Sequence, residues 1–313
     1  YNLRATLNIK PTKRVEAGLG VDLSRQESHG SSMDVDPFEY AYFANPYEKP
    51  YNADGSYRPD MTYFNLGALS DGYGADVPQL PTGGFNILRE MRETSGDGMN
   101  SRSSIWTKLK YNFTSKLWFD GQVSYEYTNN RSTDIKNKDT YAAYNDRLYF
   151  DKNKSGSDWT PYGSITRSEA NSNSYDVKGM FTYSNEFSGG HYMKVLAGAE
   201  LRGNKSVATY FKRYGYDDVT GNSTMPIPPN PDGDDASEYA DLMDQLAGEN
   251  TNESRFASFF ASGEYNFMDR YLLSLTFRTD GSNNFGSDEQ FNPTWSLGVL
   301  WNLDQERFMQ SLL

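Results

Sequence analysis

Apolar and polar residues alternate one by one over long stretches of this chain. In the first stretch the apolar positions are Leu3, Ala5, Leu7 and Ile9, with polar residues between them. The same alternation recurs at residues 15–23, 105–113, 117–127, 172–185, 191–204, 253–267, 271–280 and 292–303. Because successive side chains of a strand point to opposite faces, this period of two predicts about nine β-strands. Most stretches match the roughly 9–11 residues that a tilted strand needs to cross a bilayer.

The connections between these strands alternate between short and long. The short ones lie at residues 11–13, 114–115, 187–190 and 268–270, and the long ones at about 28–101, 130–171, 205–252 and 281–291. In an antiparallel meander, alternate connections lie at the same end of the sheet, so all long loops emerge together. The pattern therefore predicts an all-β fold, an antiparallel up-and-down transmembrane β-barrel segment with short periplasmic turns and long extracellular loops. A soluble β-protein is the alternative.

Aromatic residues on the apolar side support the membrane interpretation. Trp295 and Trp301 lie six residues apart, or about 20 Å along a strand, and Tyr271 and Phe277 repeat this spacing. Such a separation suits two aromatic girdles that flank an apolar band of about 25 Å. In a soluble sandwich the same residues would be core aromatics.

Composition and charge narrow the function classes. Hydrophobic residues make up only 36%, yet the chain has 24 Tyr and 18 Phe, which fits a sheet with one apolar and one wet face. The net charge of −12 argues against a nucleic-acid partner, because phosphate contacts require Lys and Arg. Cysteine is absent, which excludes disulfides and thiolate metal sites.

Signatures of catalysis and of cofactor binding are scarce. The two histidines, His29 and His191, have no identifiable catalytic partners, so the sequence predicts that the protein is not an enzyme. No resident cofactor or metal is predicted either. Two acidic stretches, 151–156 and 230–235, are calcium candidates, with simple solvation as the alternative. Residues 238–248 predict a short helix that is stopped by Gly248, and Asp280-Gly281 suits a tight turn.

Three stretches resemble one protein family, the SusC/RagA-type TonB-dependent outer-membrane transporters. Residues 271–286, YLLSLTFRTDGSNNFG, followed by Pro293, Ser296, Gly298 and Trp301, are similar to the family's "RYLLS…RxDGSSxFG" hairpin. Residues 41–59, AYFANPYEKPYNADGSYRP, resemble its "ANPY…PYxxDG" loop segment, and 191–201 give a weaker match. The stretch SDEQFN after the hairpin motif departs from the family pattern.

The resemblance implies the function and the partners. It implies an importer of oligosaccharides or peptides in the bacterial outer membrane, gated by a plug, energised by the TonB complex through an N-terminal part, and covered by a SusD-like surface lipoprotein. TonB-dependent barrels have about 22 strands, so residues 1–313 are expected to be an internal part of the barrel. Neither the plug nor the closing strands can be identified within this stretch. A soluble or surface-exposed β-protein that binds carbohydrate is the alternative, and an outer-membrane phospholipase is a third possibility that lacks a His–Ser pair.

Loop aromatics are the predicted contacts for substrate or for the lipoprotein, because exposed rings can stack on sugars or dock a partner. The candidates are Tyr63, Tyr73, Trp159, Tyr210, Tyr214 and Tyr216. The alternative for each of them is that the ring only packs within its own loop.

Overall fold

The computed structural model describes residues 1–60, 84–152, 158–284 and 291–310. Within these ranges the chain forms a nine-stranded antiparallel sheet in which each strand pairs with the next along the sequence. The strands are β1 (Asn2–Thr12), β2 (Val15–Gly30), β3 (Thr94–Asn112), β4 (Leu117–Lys136), β5 (Gly163–Phe187), β6 (His191–Tyr216), β7 (Ala247–Phe267), β8 (Tyr271–Ser282) and β9 (Phe291–Trp301). The predicted all-β up-and-down fold is confirmed, with β1 and β9 as the edges of an open sheet.

The short connections all lie at one end of the sheet, at residues 13–14, 113–116, 188–190 and 268–270. In the last of these turns Met268 and Asp269 have positive φ angles of 54° and 57°. The Asp269 carboxylate accepts a hydrogen bond from Asn266 Nδ2 at 2.8 Å, and the Met268 amide donates to the Gly190 carbonyl at 2.6 Å. Neighbouring turns are therefore bonded to each other at the predicted periplasmic end.

The long connections are shorter than the alternation predicted. β3 begins at Thr94 rather than after 101, β5 at Gly163 rather than after 171, and β6 continues to Tyr216. The connections span residues 31–93, 137–162, 217–246 and 283–290. Beyond the predicted strand ends both faces carry polar residues, so the contrast between them is lost although backbone pairing continues. We call these prolonged parts of β3 to β7 the strand extensions.

One face of the sheet, the outer face, is apolar and exposed. It carries the cross-strand row Ala5, Val21, Ile105, Tyr125 and Tyr175. On β9 the outer-face side chains remain largely uncovered, with Leu297 59% and Val299 77% exposed. Large apolar side chains exposed in a continuous band are what a lipid-facing surface requires.

Aromatic pairs six residues apart bracket this band on four strands. The pairs are Phe119 with Tyr125, Phe181 with Tyr175, Tyr271 with Phe277, and Trp301 with Trp295. The last two pairs are in register, because Tyr271 lies opposite Trp301 and Phe277 lies opposite Trp295. Each pair is separated by about 20 Å along its strand, as two interfacial girdles would be.

A carboxylate beyond β9 binds the two girdle aromatics of β8 and β9 that lie nearest the short turns. Tyr271 Oη donates to Glu306 Oε1 at 2.6 Å, and Trp301 Nε1 donates to the same oxygen at 3.1 Å. These bonds lower the pKa of Glu306, with the Tyr271 hydrogen bond as the largest cause. The two rings also stack, with centroids 6.3 Å apart.

Asp280-Gly281 does not form the predicted tight turn. β8 continues to Ser282, with Asp280 opposite Asn292 and Gly281 opposite Phe291. A Cβ on Gly281 would lie 2.6 Å from the Phe291 ring, so this glycine allows a ring to approach the backbone. Residues 285–290, including the Phe-Gly tip of the motif, lie outside the described residues.

Five α-helices occur in the part of the chain that the structure describes. They are α1 (Pro37–Phe43), α2 (Ile87–Glu93), α3 (Tyr141–Asn145), α4 (Ala236–Gln245) and α5 (Arg307–Gln310). The predicted helix at 238–248 is confirmed as α4, but Gly248 lies in β7. Among the described residues, no helix is both long enough and apolar enough to span a membrane. We call the described parts of connections 31–93, 137–162 and 217–246 the loop layer. A compact apolar cluster around Val35 and Phe85 lies in this layer, where Tyr40, Ile87 and Tyr141 pack against it.

We predict that Leu297→Arg destabilises the intact protein by about 2–4 kcal/mol, because it places a charge on the lipid-facing band. The measurement is urea unfolding in lipid vesicles, followed by the heat-modifiable shift in gel mobility. Ser296→Arg is the matched control, since Ser296 is the preceding residue on the opposite face. Equal stability losses in the two variants would contradict the assignment of the faces.

Candidate functional site

Part of the inner face of β3 to β7, at and just beyond the predicted strand ends, forms a polar surface, which we call the upper wall. It comprises four consecutive cross-strand rows from β3 to β7, and the rows share small polar side chains. Starting farthest from the short turns, they are Gly98, Ser132, Ser168, Tyr210 and Gly248; Asn100, Asn130, Ala170, Ala208 and Asn250; Arg102, Thr128, Ser172, Ser206 and Asn252; and Ser104, Glu126, Ser174, Asn204 and Ser254. Most of these residues are Ser, Thr or Asn.

The upper wall carries no net charge. Its two ionic side chains neutralise each other, because Arg102 Nε donates to Glu126 Oε2 at 2.8 Å. Elsewhere the polar groups bond among themselves, as where Asn204 Nδ2 donates to the hydroxyls of Ser172 at 2.8 Å and Ser174 at 2.7 Å. Hydroxyl and amide side chains can donate and accept, so this surface can bind groups of either kind.

Tyr210 is the single aromatic side chain of the upper wall. Its ring lies against the backbone of Gly248 on β7, where a Cβ would be 2.5 Å from the ring atom Cε1. Its hydroxyl donates to the Gln245 carbonyl at 3.3 Å, and the residue remains 47% exposed. Glycine at position 248 therefore lets the ring lie close to the sheet while it stays accessible from the inner side.

Closer to the short turns the inner face becomes charged, and we call this part the lower wall. Its central row crosses all strands of the sheet as Asn8, Gly18, Lys108, Gln122, Lys178, Glu200, Ser258, Asp280 and Asn292. The Glu200 carboxylate lies 4.0 Å from Lys178 Nζ and 3.3 Å from Arg202 Nε. A concavity of about 750 Å³ on this side is lined by Lys108, Lys110, Lys178 and Asp120, among other residues. The inner face thus changes from the upper wall, which has no net charge, to the ionic lower wall towards the short turns.

A buried carboxylate joins the first two long loops. Glu90 on α2 is fully buried, and its two oxygens accept hydrogen bonds from the amides of Tyr141 at 2.6 Å and Ala142 at 3.1 Å. These amides belong to the first turn of α3, so loop 31–93 caps a helix of loop 137–162. Burial raises the pKa of Glu90 to about 7, against the opposing effect of the two N–H donors and of Arg89.

Further polar bonds attach the loops to the strand extensions. Lys136 Nζ lies 2.9 Å from Asp34, and Asn145 donates to the other oxygen of that carboxylate at 3.1 Å. Lys212 on β6 binds Asp146 at 2.5 Å. Burial lowers the pKa of Lys212, but the hydrogen bond and the charge of Asp146 outweigh it, so the pKa is raised overall. The loop layer is thus held to the upper part of the sheet by charged contacts.

Two predicted substrate-contacting residues are buried instead. Trp159 is only 2% exposed and Tyr214 is 9% exposed. The Trp159 ring packs edge-on against Tyr144 at 5.4 Å and Tyr162 at 6.0 Å, and Tyr162 packs in turn on Tyr214 at 6.2 Å. These rings form the interior of loop 137–162 where it meets β6. The expectation that both are exposed loop aromatics is wrong, because the aromatic rings of the loop bury one another.

The other candidates have different positions. Tyr63 and Tyr73 lie outside the described residues. Tyr216 is the half-buried last residue of β6, paired with Gly163. Tyr210 is the candidate that remains exposed on the inner face. A role in binding stays a prediction for each of them.

Sequence reasoning missed an exposed aromatic group on loop 31–93, which we call the α1 aromatic patch. It consists of Phe38, Tyr42 and Tyr47, which are 86%, 82% and 88% exposed. The Asp36 side chain caps α1 by accepting from the amides of Phe38 and Glu39. Phe38 and Tyr42 are four residues apart and share one helix face, a spacing that could have indicated the patch once the helix was recognised.

Calcium binding at the acidic stretches 151–156 and 230–235 stays a prediction. Residues 153–156 of the first stretch lie outside the described residues, and Asp151 accepts a hydrogen bond from Tyr162 Oη at 2.9 Å. Among the residues whose placement is described, no group of three or more His, Cys, Asp or Glu side chains could hold a metal ion.

Comparison with known proteins shows that the chain is similar to TonB-dependent receptors. No family model matches the sequence. The chain is 24% identical over 150 residues to the TonB-dependent receptor P26 of Formosa agariphila, which covers 48% of the chain and 14% of that protein. It is 23% identical over 283 residues to the TonB-dependent receptor SusC of Bacteroides thetaiotaomicron, which covers 90% of the chain and 24% of that protein. These are outer-membrane receptors, which confirms the predicted location.

Solved structures of transporters share the fold of this chain. The chain superimposes on the RagAB peptide transporter with a TM-score of 0.66 at 15% identity, covering 98% of the chain and 30% of that protein. For the closed-closed state of the RagAB peptide importer the TM-score is 0.69, over 99% of the chain and 30% of that protein. The comparisons thus confirm the predicted resemblance to a segment of a SusC/RagA-type TonB-dependent receptor.

The chain spans about a quarter of the length of SusC and under a third of the RagAB chain that it matches. Its relatives are receptors and transporters, which confirms the prediction that this protein is not an enzyme.

The Glu90 contact predicts a pH dependence of the loop layer. Because the folded pKa of Glu90 lies above its unfolded value, its stabilising contribution is complete below about pH 4.5 and is lost as pH rises through about 7. Hydrogen–deuterium exchange at residues 141–146, corrected for intrinsic rates, should show weaker protection at about pH 8 than at about pH 5.5. Glu90→Gln should abolish this difference and Glu39→Gln, on exposed α1, should preserve it. Protection that increases with pH would contradict the prediction.

Proposed function

We propose that this chain forms part of the barrel wall of an outer-membrane TonB-dependent importer of oligosaccharides or peptides that acts with a SusD-like surface lipoprotein. One observation carries the proposal. A single continuous sheet has an exposed apolar band between aromatic girdles on its outer face, and a polar inner face that continues far beyond that band. Such a sheet suits the wall of a barrel that holds polar cargo inside a membrane.

The strand extensions suggest where cargo would first enter. β6 is 26 residues long, whereas about 9–11 residues suffice to cross a bilayer. Much of this strand therefore rises outside the membrane, where the upper wall and the loop layer would enclose an external chamber. The lower wall would line the channel beneath it. A plug and the TonB complex, supplied by other parts of the full protein, would control passage between the two.

The α1 aromatic patch supports a protein partner on the external side. Exposed aromatic side chains are enriched at the centres of protein interfaces, where they contribute most of the binding energy. Phe38 and Tyr42 project from the loop layer, at the end of the sheet that faces away from the short turns. A lipoprotein seated over the loops would cover them.

The soluble alternative is harder to reconcile with the outer face. Monomeric soluble proteins rarely expose contiguous apolar patches larger than a few hundred Å². Here exposed apolar side chains extend from Leu3 on β1 to Val299 on β9. In water this surface and the two open edges would drive aggregation.

Deletion of the gene tests the importer. We expect the deletion strain to lose growth on at least one class of oligosaccharide or on a casein-peptide mixture, and the intact gene to restore that growth. Growth on the corresponding monosaccharides and free amino acids is the control, because molecules of that size enter through porins. Unchanged growth on every oligosaccharide and peptide mixture would contradict the proposal.

Co-purification tests the partner. The double variant Phe38→Ala/Tyr42→Ala should reduce the amount of lipoprotein that co-purifies with the detergent-solubilised protein, measured by quantitative mass spectrometry. Met91→Ala is the control, since Met91 is an exposed apolar residue of the same loop, 47% exposed. Equal recovery of the lipoprotein from the double variant and the control would show that the α1 aromatic patch is not the contact.

A further inference from the structure

The outer face of β4 to β7 changes in charge at one cross-strand row, which consists of Tyr125, Tyr175, Gly203 and Arg255. Between this row and the short turns, the outer face of these four described strands carries no Asp, Glu, Lys or Arg. From Arg255 outward, the same face carries five basic and three acidic residues, namely Arg131, Arg167, Lys205, Arg213 and Arg255, and Glu169, Glu249 and Glu253. The border of the apolar band is thus positively charged, although the whole chain has a net charge of −12.

A concavity of about 330 Å³ adjoins this charged border on the outer face, and we call it the border cleft. Its lining includes Tyr175, Leu201, Arg255, Ala257 and Phe291. Two aromatic rings limit it on opposite sides. The Tyr175 ring lies over Gly203, where a Cβ would be 2.4 Å from the ring, and the Phe291 ring lies over Gly281, where a Cβ would be 2.6 Å away. Because neither glycine has a side chain, both rings approach the backbone and leave the apolar floor between them open.

Two basic side chains lie at the outward end of the border cleft. Arg255 Nε donates to Glu253 Oε1 at 2.8 Å, and Nη2 binds the same carboxylate, so Nη1 has no partner among the described residues. Lys205 lies opposite Glu253 on β6. It is exposed, and within the described part of the chain it forms no ion pair. Since Glu253 balances only one of the two cations, this end of the cleft keeps a positive charge.

The border cleft lies at the level where lipid headgroups begin. Arg255 shares its row with the girdle residues Tyr125 and Tyr175, and on β7 it lies six residues beyond Ala261, which is opposite Phe277 of the girdle. Aromatic girdles mark the boundary between hydrocarbon and headgroups. The apolar floor is therefore beside acyl chains, and the basic side chains are beside headgroups. Because this end of the sheet faces away from the short periplasmic turns, these lipids belong to the outer leaflet.

A phosphate group suits the basic end of the cleft better than an uncharged headgroup does. Arg and Lys bind phosphate oxygens through charge-assisted hydrogen bonds, and basic side chains near a membrane surface attract anionic headgroups. An uncharged headgroup would leave Lys205 without a counter-charge. A soluble anion could bind the two cations, but it would leave the apolar floor formed by Leu201 and Ala257 unused. A ligand that has both a phosphate group and a hydrocarbon chain matches the whole cleft.

We propose that the border cleft binds a phosphorylated lipid of the outer leaflet, with an acyl chain along Leu201 and Ala257 and a phosphate group on Lys205 and Arg255. This inference goes beyond the importer function. It depends on the orientation of the sheet in the membrane and does not involve the cargo or the lipoprotein.

The test uses the full-length protein, purified in detergent and freed of bound lipid. Lipid A with two phosphate groups, with one or with none, and with identical acyl chains, is titrated and its binding is measured by native mass spectrometry. We expect the affinity to fall as phosphate groups are removed. Lys205→Gln/Arg255→Gln should weaken binding of the bisphosphorylated form about tenfold. Ala257→Trp should weaken binding of all three forms, because the indole ring would fill the cleft.

Each variant has a matched control. Arg14→Gln/Lys116→Gln removes the same two types of charge from exposed positions in the short turns, at the opposite end of the sheet. Val123→Trp adds an indole ring to the outer face of β4, outside the cleft, where Val123 is 49% exposed. Both controls should bind lipid as the wild type does, and heat-modifiable mobility shows that each variant is folded.

Three results would overturn the inference. They are equal affinity for the three forms of lipid A, equal binding by Lys205→Gln/Arg255→Gln and its control, and unchanged binding by Ala257→Trp. Displacement of the lipid by equimolar inorganic phosphate would also overturn it, because the site would then be one for a free anion. The importer proposal is tested separately by growth, so failure of lipid binding leaves it intact.

Discussion

The whole architecture depends on an unbroken ladder of backbone hydrogen bonds. Hydrocarbon offers no partner for a free N–H or C=O group, so a chain that crosses it as strands must pair each of them with a neighbour. Among the described residues each strand from β1 to β9 pairs with the next, and the register is irregular only between Ile9 and Thr12 and at Gly163. Regular register in turn holds each side chain on one face. The lipid-facing band, the upper wall and the lower wall are all consequences of that constraint.

The sequence predicted those parts of the fold in which the two faces differ chemically. Strands, their order and the sorting of short and long connections all followed from that contrast. The strand extensions were missed because Asn130 and Arg131 are equally polar although they face opposite sides. The prediction of a tight turn at Asp280-Gly281 was wrong, since the glycine there makes room for a neighbouring ring. Trp159 was misjudged because burial inside a loop depends on partners far away in sequence.

Aromatic rings lying over glycines recur on the inner face. Trp106 lies over Gly20, Phe260 over Gly198, and Tyr210 over Gly248. Each glycine is on a neighbouring strand, so only the register shows the pairing, and a single sequence does not indicate it. A large side chain that lies against the sheet occupies little of the space inside a barrel. The inner face can therefore carry wide apolar surfaces that project little from the sheet.

Glu90 gives the long loops a property that neither loop has alone. The helix of loop 137–162 begins with two amides that are satisfied by a carboxylate from loop 31–93. Transplanting one of these loops into a related receptor would leave either two amides or a buried acid without its partner. Changes in this region would thus be inherited or engineered successfully only as a matched pair, with both loops exchanged together.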